Sequence, residues 1–156
     1  MKLALASPAV AQRLSSHVHS RYGVSKDVMR AWRWMLHGSS AWVFHADARL
    51  LDAPSVNVFQ LGLLAFSDAE TFEPTSHIIA LLGDAITQNR VALSESHVES
   101  FFARKNIPVE NLDVSRVLSD GFVAVSLNGK VIGSASVTRK HLIPNLPPLH
   151  HGGESD

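Results

Sequence analysis

The chain has 156 residues, 46% of them apolar, and no cysteine. Such a length buries roughly 68% of the unfolded surface, enough for one domain or two small ones sharing a core. The missing thiols exclude disulfides, cysteine nucleophiles and sulfur-ligated zinc. Net charge is zero, yet Lys2, Arg13, Arg21, Lys26, Arg30 and Arg33 face only Asp27 within residues 1–46, while the remainder holds eight bases against thirteen acids. A local positive field of this kind attracts phosphates even on a neutral molecule; a solvated helix face is the alternative explanation.

The apolar centre of the amino terminus, Leu3–Ala6, is shorter than the ~7 residues of a signal, and no apolar run approaches the roughly 20 of a membrane span. These points predict a soluble, cytoplasmic protein. Ser7-Pro8 reads as an N-cap with proline in the first turn, and Val10, Leu14 and Val18 repeat at helical spacing until Tyr22-Gly23. A second helix is expected from Ser25, with Val28, Ala31, Trp32 and Met35 on one apolar face. Its end is open: Trp34-Met35-Leu36, the His37–Ser40 turn and Ala41-Trp42-Val43-Phe44 also fit a hairpin. Val56, Val58, Gln60 and Leu61 read as a strand running toward Phe66. The polar, acidic stretch Ser67–Glu73 divides the chain into two halves.

In the second half, His77–Asp84 reads as a short helix ended near Gly83, and Arg90–Leu93 as a short strand. Ser94 is expected to cap a helix whose Val98, Phe101 and Phe102 point inward and whose last turn holds Arg104-Lys105, before Pro108. Gly121–Lys140 carries the clearest local signal: apolar runs flank Asn128-Gly129, the dipeptide of a type I′ hairpin turn. Gly133 stands where a strand can bulge or admit another backbone. Leu142–Leu149 is too rich in proline for regular structure, and His150–Asp156 reads as a disordered tail.

The order Arg21-Tyr22-Gly23-Val24, Gln60-Leu61-Gly62-Leu63, Phe72–His77, Val91-Ala92-Leu93, Gly121–Val125 and Asn128–Gly133 resembles the carboxy-terminal region of the ribosomal-RNA small-subunit methyltransferase F family. The likeness spans about residues 21–149 in short pieces. It implies an α+β chain: a small α/β adaptor over 1–72 and a PUA-like mixed β-barrel with short helices over 73–149. It also implies a structured-RNA partner, ribosomal in the family, and a separate modifying enzyme or assembly protein. Members of that family also carry a Rossmann-type domain for S-adenosylmethionine and a cysteine nucleophile; this sequence has neither, so no cofactor and no catalysis are expected of it. The family's closing Lys-Asn pair and Leu-Arg are Pro144-Asn145 and Leu149-His150 here.

Signatures of independent chemistry are missing. His17-x-His19 would lie about 200° apart on a helix, no HExxH occurs, no serine sits in Gly-x-Ser-x-Gly, and the glycines near the hairpin are isolated rather than grouped as a phosphate loop. The residues that fit RNA contact are Arg21, Lys26, Arg30, Arg33, Lys130, Arg139, Lys140 and His141. Trp34, off the Val28-Trp32-Met35 face, is the candidate for base stacking. The competing expectation is a protein-interaction module of the same fold, docking through the apolar Pro144–Leu149 segment.

Overall fold

The computed structural model describes residues 4–45 and 62–147. Its first helix, α1 (Pro8–Tyr22), is built as its sequence signals require. The Ser7 hydroxyl accepts from Val10 N, and Pro8 occupies the first position, where an N–H would have no partner. Gly23 closes the helix at φ 66° and donates to the His19 carbonyl over 2.9 Å. Leu14, Val18 and Tyr22 form the buried face.

The helix expected from Ser25 does not form. Residues 26–31 make only successive tight turns, with Val28 N to Ser25 O at 3.1 Å and Met29 N to Lys26 O at 3.2 Å. The chain then enters β2 (Trp32–His37), which pairs antiparallel with β3 (Ser40–His45), so the hairpin alternative is the observed one. Gly38, at φ 62°, takes the first central place of the two-residue turn, where type II′ geometry selects glycine. With β1 (Ala4–Leu5), β4 (Leu63–Asp68) and β5 (Glu73–Pro74) these strands form one antiparallel sheet in the order β1-β2-β3-β4-β5. The beginning of the strand expected from Val56 and the tail His150–Asp156 lie outside the described residues.

Thr75 caps α2 (Ser76–Leu82) by accepting from Ile78 N over 3.3 Å. After β6 (Arg90–Leu93) comes α3 (Glu95–Phe102), headed by Ser94, whose hydroxyl engages Ser96 and His97 rather than a backbone N–H. Phe101 is fully buried and Val98 half-buried, but Phe102 is 53% exposed, contrary to the expected inward trio. It is the last helical residue, turned away from Phe101 by about 100°. Arg104 follows outside the helix at φ 58° and donates to the carbonyls of Leu146 and Pro147.

The second sheet is mixed, in the order β6-β8-β9-β10-β7, where β7 is Ile107–Pro108, β8 Gly121–Leu127, β9 Lys130–Val137 and β10 His141–Asn145. β6 and β8 run parallel and the other neighbours antiparallel. Asn128 (φ 50°) and Gly129 (φ 80°) make the type I′ turn, and the register slips beyond it, where Val125 faces Gly133 but Ser126 faces Val131. The expectation that Leu142–Leu149 is irregular is overturned by β10 as far as Asn145. Its two-residue neighbour β7 pairs only with His141 and Leu142, so Pro144 sits where the outer edge is unpaired and proline is tolerated.

Two apolar clusters hold this α+β fold, whose described residues form three α-helices and two sheets, one curled into a half-barrel. One cluster joins α1, β2–β4 and α2, and takes Ala124 from β8 and half-buried Val131 from β9. α2 lies against both β4 and β9, on a sheet face of small residues that includes the paired Ala124 and Ser134. The other fills the second sheet with Val91, Phe101, Val123, Val125, Val137 and Leu142. Ile78, Ile79 and Leu82 therefore pack with the first half although they follow residue 72 in the chain.

Candidate nucleic-acid interface

Arg21, expected to contact RNA, is engaged inside the molecule. Its guanidinium donates to the Phe122 carbonyl through Nε (2.9 Å) and Nη2 (2.8 Å) and to both the hydroxyl and the carbonyl of Ser119. Burial lowers its affinity for a proton relative to a free arginine, although Tyr22 and Asp120 act in the opposite direction. Asn89 completes this knot: at φ 50° and 2% exposure, its Nδ2 donates to the Arg21 carbonyl (2.6 Å) and its Oδ1 accepts from Leu118 N (2.9 Å). Together they clamp the end of α1, the start of β8 and the loop before β8.

Trp34 is placed in the core rather than on the surface. It is 3% exposed, stacks on Phe66 and donates from Nε1 to Ser15 Oγ over 2.9 Å, so neither ring face is open to a base. In an extended β2 its side chain shares a face with Trp32 and alternates with Arg33 and Met35, and the side chain that a helix would have turned outward turns inward. Lys26, Arg30 and Arg33 are exposed; Arg30 is paired with Asp27 at 2.7 Å, both nearly free in solvent, an arrangement worth little in stability.

Around His17 lies an aromatic nest that the sequence did not reveal. His17 stacks on Phe72 with centroids 4.0 Å apart and planes 4° apart, and meets Tyr22 and Phe66 edge-on. Arg13 caps the stack, its guanidinium 5.5 Å above Phe72. Burial first, and the charge of Arg21 second, lower His17 from 6.5 to about 4. The native state thus binds this proton less well than the unfolded chain, so its contribution is complete above pH 6.5 and is lost as pH falls toward 4. Urea unfolding across that window should show declining stability that His17→Phe flattens; equal pH slopes for the two proteins would refute this role.

The four residues expected beside the hairpin do not form one group. Lys130 stands at the β8–β9 turn, whereas Arg139, Lys140 and His141 stand at the far end of β9, which spans eight residues; at about 3.3 Å per residue the ends are roughly 25 Å apart. All four are exposed, and among the described residues Lys26, Arg33, Lys130, Arg139 and Lys140 make no ion pair. No protein-family model matches this chain, and no curated protein does.

Beside Lys130 lies an open groove of about 390 Å³ between β6, the β8–β9 turn and the loop preceding β8. Arg90 and Arg116 line it together with Asp113 and Ser115. Neither arginine stands out in the sequence, because 26 residues separate them until the antiparallel bridge of Ala92 with Asp113 and the Asn89 N–Arg116 carbonyl bond draw the loop to the strand. The apolar carboxy-terminal stretch Pro144–Leu149 is partly packed against the second sheet. Leu146 packs into the second cluster beside Gly133, Pro144 and Leu146 are half-buried and Pro147 is exposed, while Pro148 and Leu149 lie outside the described residues.

Proposed function

We propose that this chain is a non-catalytic RNA-binding module of PUA-like type that holds structured RNA for a separate modifying enzyme or for ribosome assembly. The observation that supports this reading is the set of exposed cations left without carboxylate partners: Lys26 and Arg33 by the first sheet, Lys130 and the Arg139-Lys140 pair at opposite ends of β9. Cations spread over a surface in this way can meet separate phosphates of a folded RNA backbone, and they read shape rather than sequence. Arg21 acts through position, by fixing the loop beside these groups.

Three to six such contacts give micromolar or weaker affinity at physiological salt. Fluorescence anisotropy with labelled ribosomal-RNA hairpins, against tRNA and DNA hairpins at two salt concentrations, tests the proposal. Saturable binding should weaken with salt and favour RNA, and Arg139→Glu with Lys140→Glu should weaken it further. Wild-type protein that fails to bind RNA even at low salt would overturn the reading.

A further inference from the structure

We infer that the groove bordered by Arg90, Arg116 and Asp113 is a seat for one unpaired ribonucleotide, a deepening that rests on the RNA-binding reading. Three observations converge on this site. Arg90 is fixed: its side chain is only 11% exposed and donates to the carbonyls of Gly129 and Ile86, while its nearest carboxylate, Asp84, stays 3.9 Å away and is itself 84% exposed. A guanidinium held rigidly by neutral carbonyls keeps donors and charge for a ligand. Arg116 stands across the groove on the loop, exposed; it is the Arg116 carbonyl, not the side chain, that accepts from Asn89 N at 2.7 Å. The loop is therefore anchored while the guanidinium is left to reach.

Asp113 decides the kind of ligand. Its carboxylate accepts from the Ser115 hydroxyl and from Ser115 N (3.0 Å), which, with a smaller contribution from Arg116, holds it below the ordinary carboxylate range and so anionic. Two arginines and one aspartate leave a modest positive excess. Such a balance disfavours a free dianion such as inorganic phosphate and suits a monoanionic phosphodiester whose base offers an amine. The arginines take the phosphate, and Asp113 accepts from an exocyclic amine, as carboxylates do from cytosine N4. The volume, about 390 Å³, lies at the small end of ligand-sized pockets and accommodates a single splayed-out nucleotide.

The test is an amide and arginine-side-chain NMR titration of the full chain with the RNA tetramers rC4 and rU4 and with inorganic phosphate. The Arg90 Nε–H and the amides of Ser115, Arg116 and Gly129 should shift with rC4, less with rU4 and least with phosphate. Arg116→Glu, which leaves every backbone hydrogen bond of the loop in place, should weaken rC4 binding by about tenfold or more while its spectrum elsewhere stays that of the wild type. Shifts confined to the Lys26–Arg33 or Arg139-Lys140 surfaces would overturn the groove and leave the module reading standing. Phosphate acting as strongly as rC4 would overturn the nucleotide assignment, and silence toward both tetramers together with failure to bind RNA hairpins would overturn both proposals.

Discussion

Phe101→Ala should lower the unfolding free energy by about 3–5 kcal/mol, the usual cost of emptying a site of this size in a core. The ring is fully buried, and it packs over Gly133, where an added methyl would come within 3.2 Å of its Cζ. Glycine at that position is the complement of the ring: the strand gives up a side chain so that the helix can press on it. Gly133 has no side chain with which to fill the hole left by alanine. Guanidinium unfolding measures the loss, accompanied by a Tm decrease of roughly 10 °C. A change below about 1 kcal/mol would mean that α3 is not packed on β9.

Asn89→Ala should cost about 2–4 kcal/mol, although the side chain is small. It removes the partner of two part-buried backbone groups, the Arg21 carbonyl and Leu118 N, where an unpaired group costs about 1–3 kcal/mol when fully buried. It also asks alanine to adopt φ 50°, a conformation that asparagine tolerates better. The loss is read by thermal or chemical unfolding. Hydrogen exchange adds a local test: Leu118 N–H should lose protection before the amides of β9 do, and uniform loss would show that the clamp carries no special share of the loop's order.

The signals legible in the sequence were those that act locally. Ser7-Pro8 and Gly23 delimit α1, Asn128-Gly129 sets the β8–β9 turn, and Gly83 ends α2, because caps and turns are decided by a residue's own backbone preferences. The stretch from Ser25 misleads for a physical reason. Trp34 and Met35 are adjacent and both buried, so β2 is covered on both faces and lacks the alternation that marks a half-exposed strand. Its apolar residues then fit a helical stripe equally well.

The interface was less legible than the fold. Arg21 looks like any surface base until Phe122, 101 residues away, is brought against it. Lys130 and Arg139 are near in sequence and far in space because a strand is extended, whereas Arg90 and Arg116 show the reverse. Charge in a sequence reports how many cations exist. Only the fold decides which of them are spent on carbonyls.

The shared first cluster has a consequence for how the protein is made. Its α1, β2, β3 and α2 are synthesised early, but the apolar wall that closes them includes Ala124 and Val131. At about 5–20 residues per second, a ribosome needs several more seconds after α2 to deliver those residues. During that interval Ile78, Ile79 and Leu82 have β4 but lack the β8–β9 side of their packing, which leaves apolar surface exposed on the nascent chain. Completion of the amino-terminal core is thus timed by the arrival of the carboxy-terminal half.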